Sequence, residues 1–206
     1  MTYTLFYADD SAAMGIRVLL EEIGAAYQLI ETNIEQGEAR DEAHLRLNPN
    51  GWVPVLARGD WSMYEASAIA IYLTDAYPDA GLGPLPTDPD RALFLQTLVY
   101  FSNTVQTAFQ QHYYPQRFVE DDGCFVSAMA RAARRLRDVW QVVDDQLAGR
   151  DWVLGDRFSA ADVHLFMLGT WFDPDAGHPT VADFPNVSRV SANTAARGSV
   201  KKVYDF

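Results

Sequence analysis

A twelve-residue segment rich in proline and glycine divides this chain into two halves with different patterns. The segment, PDAGLGPLPTDP at 78–89, contains four prolines and two glycines. Proline cannot continue a helix or a central strand, and glycine weakens both, so no regular element is expected to cross it. We therefore predict two domains, at 1–77 and 90–206, joined by a linker at 78–89.

The half before the linker alternates strand-type and helix-type patterns. YTLFY at 3–7 is rich in aromatic and β-type residues, and Arg58-Gly59-Asp60 lies between two short apolar runs. The first pattern is typical of a strand and the second of a hairpin turn. The predicted order is βαβ-α-ββα, with strands at 3–7, 26–34, 53–57 and 61–65 and helices at 13–23, 38–47 and 67–77.

The half after the linker has only helical patterns. One set of large apolar residues recurs at spacings of 4, 3, 4 and 4, namely Phe94, Leu98, Phe101, Val105 and Phe109. This spacing predicts one face of a long helix that stops near Pro115. Apolar residues between 125 and 147 predict a second helix, ended by Gly149. Ser159 and Asp162 form the pattern of a capping box, which predicts the start of a third helix.

Composition excludes several classes of function. The formal net charge is −12 and the pI is near 4.6. Such a chain has no basic surplus to neutralise phosphates, so nucleic acids and anionic membrane surfaces are disfavoured as partners. The sequence contains no run of eighteen apolar residues, so no transmembrane helix is expected.

The compartment is predicted from the N-terminus and from cysteine usage. MTYTLFYADD lacks the basic segment and the long apolar core of a signal peptide, and Cys124 is the single cysteine. One cysteine cannot form an internal disulfide or a Cys-X-X-Cys redox pair. We expect a cytoplasmic protein.

Three motifs in order carry a resemblance to a known family. NPNGWVPVL at 48–56 is similar to an Asn-Pro-X-Gly-X-Val-Pro-X-Leu signature, and YEASAIAIYL at 64–73 is similar to a Glu-Ser-X-Ala-Ile-X-X-Tyr-Leu segment. WVLGDRFSAADVHLF at 152–166 is similar to a Gly-Asp-X-Phe-Ser-X-Ala-Asp box. Together with the βαβ-α-ββα half and the helical half, these motifs resemble the cytosolic glutathione S-transferases over the whole chain, as a bacterial member of serine or tyrosine type.

The resemblance implies a fold, a co-substrate and an assembly. The fold is an N-terminal thioredoxin-like domain followed by an all-helical domain, the co-substrate is glutathione, and the assembly is a homodimer. Proline cannot donate a hydrogen bond to a sheet ladder, so a proline at the start of a predicted strand needs an explanation. The resemblance supplies it: the Val53-Pro54 bond is expected to be cis, and the Val53 backbone is expected to bind glutathione. Trp52 lies where the family often has a lysine or glutamine.

The γ-glutamyl end of glutathione is expected at the helix that follows the hairpin. Glu65 matches the family's acidic residue and could pair with the glutathione ammonium, while the N-terminus of the helix favours the carboxylate. The next position is Ala66, with the serine displaced by one residue to Ser67. Arg40 is the nearest candidate for the family's basic residue.

The family's chemistry is attack of a glutathione thiolate on an electrophile, and a hydroxyl usually stabilises the thiolate. Ser11 lies close to the position of the serine-type members, and Tyr7 lies in register with the tyrosine-type members. We favour Ser11 over Tyr7. No cysteine lies in this loop, which argues against the cysteine-type members.

The electrophile is expected to bind against the long helix of the second domain, at a set of aromatic and polar side chains: Tyr100, Gln106, His112 and Tyr113. The four histidines show no ligand spacing, so no metal site is expected. Two other functions remain open: a glutathione-dependent isomerase, dehalogenase or ether-cleaving enzyme, and a non-catalytic binding protein.

Overall fold

The computed structural model describes residues 2–35 and 40–206, and it divides the chain into two compact units. The first unit contains the residues up to Arg91 together with Ala196–Phe206, and the second contains Ala92–Ala195. None of the helices among the described residues is both long and apolar enough to cross a membrane.

The first unit is built on a four-stranded sheet in the order β2-β1-β3-β4. Its strands are β1 (Tyr3–Tyr7), β2 (Tyr27–Glu31), β3 (Val55–Arg58) and β4 (Trp61–Tyr64). Its helices are α1 (Ala13–Glu22), α2 (Glu42–Leu47), α3 (Ala66–Ala76) and, from the C-terminus, α9 (Gly198–Tyr204), with a 3-10 turn at Pro78–Ala80. Strand β1 pairs with β2 in parallel and with β3 antiparallel, and β3 pairs antiparallel with β4.

Two elements of this unit depart from the predicted bounds by more than two residues. Strand β2 ends at Glu31, where the prediction continued to 34, because the sheet register ends at the pair of Tyr7 with Glu31. Helix α2 begins at Glu42 because the Asp41 carboxylate accepts a hydrogen bond from the Ala43 amide and so caps the helix there. Of the helix predicted at 38–47, residues 38 and 39 lie outside the described residues.

The C-terminal residues belong to the first unit, although the predicted domain boundary placed them with the helical half. Helix α9 lies against α1, where Arg197 donates at 2.7 Å to each carboxylate oxygen of Glu22. Ser199 also donates to Glu22, and Lys202 pairs with Glu21 at 2.8 Å. A bidentate charge-assisted pair fixes orientation as well as distance, so it holds the end of the chain on α1.

The second unit is entirely helical within its described residues. Its α-helices are α4 (Arg91–Tyr100), α5 (Gln106–Tyr113), α6 (Phe125–Gln146), α7 (Ala160–Gly169) and α8 (Pro185–Ala195). The 3-10 turns lie at Pro115–Arg117, Asp122–Cys124, Pro174–Ala176 and Val181–Asp183. The predicted fold class, an α/β thioredoxin-like half followed by an all-α half, is therefore confirmed.

The predicted long helix is one helical run with a change of winding in its middle. Residues Phe101–Val105 form a π-helical turn between α4 and α5. The predicted apolar face holds, since Phe94, Leu98, Phe101, Val105 and Phe109 are all at most 1% exposed. Phe101 and Val105, four residues apart, both lie on the buried side of this turn.

Helix α7 is the centre of the second unit, because every residue from Ala160 to Gly169 is buried. It begins at the predicted capping box, which is present. The Asp162 carboxylate accepts from the amides of Val153 (2.7 Å) and Ser159 (2.8 Å) and from the Ser159 hydroxyl (3.0 Å). Burial raises the pKa of Asp162 to about 6, while these hydrogen bonds favour the ionised form and limit the rise.

A second capping box offers a matched comparison for the energetic role of Asp162. Thr180 and Asp183 form the same reciprocal hydrogen bonds at the start of a short 3-10 turn, but Asp183 is exposed. We expect Asp162→Ala to lower the free energy of unfolding by about 3 kcal/mol or more, because it leaves buried amides without acceptors. Urea unfolding followed by circular dichroism measures this. Asp183→Ala should shift the midpoint far less, and equal shifts would contradict the assignment of Asp162 as a buried anchor.

Candidate functional site

Several predicted site residues meet at one end of the sheet, and the strand register places them there. Strand β3 pairs antiparallel with β1, with Phe6 opposite Val55, so the end of β1 lies beside the start of β3. Continuing this register by one residue sets Tyr7 against Pro54. Strand β4 pairs Tyr64 with Val55, so β4 ends and α3 begins at the same end of the sheet.

The Val53-Pro54 peptide bond is cis, as the sequence predicts. Pro54 lies immediately before β3, which begins at Val55, so the proline interrupts no ladder inside the strand. The strand predicted at 53–57 therefore begins two residues later, and Val53 and Pro54 lie in the loop that leads into it.

The loop before Val53 is fixed by hydrogen bonds to backbone carbonyls. The Trp52 carbonyl oxygen accepts from Nε2 of His44 at 3.1 Å and from the Asn48 side-chain amide at 2.8 Å. Because a carbonyl can only accept, Nε2 of His44 carries the proton. His44 and Asn48 are both buried, so these bonds hold the loop from inside the unit.

Arg40 binds this loop directly. Its Nε donates to the Gly51 carbonyl at 3.0 Å, and its terminal nitrogens donate to the carbonyls of Ile34 (2.8 Å) and Glu35 (3.0 Å). Its guanidinium also lies 5.3 Å from the centre of the Trp52 ring. These contacts fix the shape of the loop, and direct contact of Arg40 with glutathione stays a prediction.

Helix α3 begins beside the cis-proline. Glu65 precedes the helix with backbone angles φ 74 and ψ 106, a conformation that non-glycine residues rarely adopt. Residues with strained backbone conformations concentrate at functional sites. No side-chain cap was found for α3 within the described part of the chain. Ala66 and Ser67 are buried in its first turn, where backbone amides and the positive end of the helix dipole favour a carboxylate.

The two candidate hydroxyls have different surroundings. The buried Ser11 hydroxyl donates to the Ala8 carbonyl at 2.6 Å and accepts from the Ala13 amide at 3.2 Å, at the start of α1. Tyr7 ends β1 on the same face as Tyr3 and Leu5 and is half-buried, and none of the described residues bonds its hydroxyl.

Comparison with known proteins decides the family. The family described as "Glutathione S-transferase, N-terminal domain" matches residues 1–75, and "Glutathione S-transferase, C-terminal domain" matches residues 127–193. Glutathione S-transferase 1 of Schizosaccharomyces pombe is 31% identical over 162 residues, which cover 75% of this chain and 68% of that protein. The chain belongs to the glutathione S-transferase family.

Solved structures agree with this assignment. A glutathione transferase homolog from Sulfitobacter with bound glutathione has a TM-score of 0.90 and 26% identity, covering 99% of this chain and 97% of that one. A sphingomonad glutathione S-transferase complexed with glutathione has a TM-score of 0.83 and 27% identity, covering 98% of this chain and 97% of that one. The predicted family is therefore confirmed.

The predicted electrophile residues of this transferase are not all neighbours. Tyr100 ends α4, and its hydroxyl donates to the Val139 carbonyl of α6 at 3.2 Å. His112 and Tyr113 lie at the other end of the helical run, about 18 Å further along at 1.5 Å per residue. Gln106 begins α5 between them. The structure thus brings His112 and Tyr113 together and leaves Tyr100 apart.

Two residues that the sequence analysis did not select join His112 and Tyr113. The His178 ring lies 4.2 Å from that of His112, and the Tyr113 hydroxyl donates to the Trp171 carbonyl at 2.8 Å. Burial and the neighbouring His112 lower the pKa of His178 to about 4, against the opposing charge of Asp173. His178 is therefore neutral at neutral pH. Nothing local in the sequence links residues 171–178 to 112–113, so only the fold identifies this group.

No cluster of three or more metal-ligating side chains was found among residues 2–35 and 40–206.

Gly51 provides a test of the loop that carries Trp52 and Val53. Its φ is +71, and a Cβ atom there would lie 2.8 Å from Cγ of Arg40, whose guanidinium is held by carbonyls. Gly59, in the hairpin turn, has a similar φ of +62 and nothing within 4 Å. We expect Gly59→Ala to cost about 1 kcal/mol of unfolding free energy from backbone strain, and Gly51→Ala about 2 kcal/mol or more.

Urea unfolding of both variants measures the difference. In an Arg40→Ala background the extra cost of Gly51→Ala should disappear, because the clashing atoms are gone. An unchanged difference in that background would show that Arg40 does not set the space at Gly51.

Proposed function

We propose that this protein is a glutathione transferase in which the thiolate of glutathione attacks small hydrophobic electrophiles. The observation that carries the proposal is the meeting of Tyr7, the cis Val53-Pro54 bond and the start of α3 at one end of the sheet. The relatives solved with bound glutathione support it.

Glutathione would be held mainly by backbone groups of the first unit. A tripeptide can pair its main chain with that of Val53, as an added strand does at an exposed strand end. Its γ-glutamyl carboxylate would accept from the amides of Ala66 and Ser67, and its ammonium would pair with Glu65. Trp52 would lie near the glycine end, in a loop that Arg40 holds in shape.

The thiol must lose a proton before it can react. A free thiol has a pKa of about 8.5, and lowering it by two units corresponds to about 2.7 kcal/mol of preference for the thiolate. Two groups at this end of the sheet are suited to stabilise the thiolate by this amount: a hydroxyl donor and the N-terminus of α1. No covalent bond to the protein forms: the sulfur bonds to the electrophilic carbon, and the leaving group departs with its electron pair.

Tyr7 is the better placed of the two hydroxyls. To donate to a thiolate, Ser11 would have to break its 2.6 Å bond to the Ala8 carbonyl, and its oxygen also accepts from the Ala13 amide at the start of α1. The Tyr7 hydroxyl has no hydrogen bond to another described residue that it would have to break in order to donate to the thiolate. We therefore place Tyr7 ahead of Ser11 as the donor, which reverses the order that the sequence alone favours.

The electrophile is proposed to bind at the aromatic group of the helical unit. His112, Tyr113, Trp171 and His178 present ring surfaces with a few polar atoms, which suits planar apolar compounds. Gln106 of α5 is a further candidate contact.

The assignment of the donor is tested by the rate of conjugation of glutathione to 1-chloro-2,4-dinitrobenzene. We expect Tyr7→Phe to lower kcat about ten- to a hundredfold, because a hydrogen bond to a charged group contributes ~1.5–3 kcal/mol. The pH–rate profile should move to higher pH, because the thiol pKa rises. Glutathione affinity should change little, since one contact among many is lost.

Ser11→Ala is the matched comparison. It removes the hydrogen bonds of the Ser11 hydroxyl with Ala8 and Ala13 and should lower the unfolding free energy by about 1 kcal/mol, with kcat nearly unchanged. A large loss of kcat in Ser11→Ala with a normal Tyr7→Phe enzyme would make the protein serine-type. If neither variant changes the rate, the α1 N-terminus and the loop amides stabilise the thiolate.

A non-catalytic glutathione-binding protein is the second candidate, because Trp52 and the displaced Ser67 depart from the family's pattern at the glutathione site. Retention on immobilised glutathione without turnover of any electrophile in a broad panel supports this alternative. The panel also separates conjugation from glutathione-dependent isomerisation, dehalogenation and ether cleavage, which release different products.

We also propose a homodimer, on the resemblance and on the exposed aromatic side chains of the edge strand β4, where Trp61 and Tyr64 are each 37% exposed. Sedimentation equilibrium at micromolar concentration should give twice the chain mass of 23.1 kDa. A mass equal to that of one chain is the contrary result.

A further inference from the structure

A cavity in the helical unit lies between α4 and the C-terminal end of α6, and its volume is about 220 Å³. Phe101, Val143, Leu147 and Val153 form its apolar wall, and each of them is at most 4% exposed. All of its lining residues lie between Leu93 and Val153, so the cavity is built by the second unit alone.

The size and wall of the cavity suit a single aromatic ring. An apolar protein cavity of about 150 Å³ is known to hold benzene, so 220 Å³ has room for a ring with a short substituent. The Tyr100 ring adds to the wall and is fixed there by its hydrogen bond to the Val139 carbonyl. The apolar wall argues against a fully hydrated ligand such as a sugar or free phosphate.

The polar lining of the cavity favours an anionic substituent. Arg150 lines it together with Gln96 and Gln146, and no Asp or Glu is among the described lining residues. Arg150 donates to the Val153 carbonyl at 3.3 Å, a long hydrogen bond. Its planar guanidinium carries further donors suited to a carboxylate. Arg150 is the charged residue among the described lining residues, and a cation beside an apolar wall favours an anionic partner.

We propose that this cavity binds a monocyclic aromatic carboxylate of the size of phenylacetate, with the ring against Phe101 and Leu147 and the carboxylate on Arg150. The site is separate from the proposed glutathione site, and among the predicted electrophile residues it includes Tyr100 and none of Gln106, His112 and Tyr113. The predicted electrophile set therefore contains a residue of a second site.

Isothermal titration calorimetry with phenylacetate tests the chemistry of the ligand. Phenylacetate should bind, whereas phenylacetamide, which has the same shape without the charge, should bind at least tenfold more weakly. Acetate, which has the charge without the ring, should give no measurable heat at the same concentrations. Equal binding of phenylacetate and phenylacetamide, or no binding of phenylacetate at millimolar concentration, overturns the proposal.

Two arginine variants test whether phenylacetate binds in this cavity. Arg150→Gln should weaken phenylacetate binding at least tenfold, and it preserves the Arg150 backbone carbonyl that accepts from Arg189. Arg134→Gln, on the exposed side of α6 and outside the cavity lining, should leave it unchanged. Both variants should bind glutathione as the unmodified protein does, so a failure here is distinguishable from a failure of the proposed function.

A crystal soaked with 4-bromophenylacetate locates the ligand independently, because bromine gives an anomalous signal. The signal should lie between α4 and α6, and a signal only at the His112–Tyr113 group would overturn the proposal. Competition adds a third check: phenylacetate should not compete with 1-chloro-2,4-dinitrobenzene in steady-state kinetics. Competitive inhibition would overturn the proposal of a separate site.

Discussion

The pairing of β1 with β3 is the constraint on which the candidate glutathione site depends. Because the pairing is antiparallel, the end of β1 and the start of β3 must lie at the same end of the sheet. The hairpin then returns β4 to that end, where α3 begins. A shift of register by one residue would turn every side chain of the strand to the other face, so Tyr7 keeps its place only while the apolar pattern of β1 fixes the register.

Buried carboxylates have the corresponding role in the helical unit. Asp162 joins the start of α7 to the Val153 amide, and Asp144 of α6 accepts from the amides of Asn186 (2.7 Å) and Val187 (2.9 Å) at the start of α8. Asp144 satisfies amides in the first turn of α8, and Asp162 satisfies the amides of Val153 and Ser159 before α7. Asp144 thereby joins α6 to α8, and Asp162 joins α7 to the loop at Val153 beside the cavity.

Local patterns predicted the elements well, and the misses have physical causes. The capping box at Ser159, the hairpin turn and the buried face from Phe94 to Phe109 depend on neighbours within a few residues, so sequence alone shows them. The late start of α2 depends on the Asp41 cap. The place of residues 196–206 depends on Glu22, about 175 positions away along the chain, to which Arg197 binds.

The sequence by itself determined the family, the two fold classes and the cis-proline motif, because those are written in contiguous motifs and in periodic apolar patterns. The tertiary structure decided what each candidate side chain touches. The Ser11 hydroxyl is hydrogen-bonded to Ala8 and Ala13, and Arg40 binds the carbonyl of Gly51 in the loop before Val53. The rings of His112 and His178 are in contact although the two residues are 66 positions apart in the sequence. Such contacts depend on how helices and strands pack together, so a short stretch of sequence does not show which distant residue a side chain will contact.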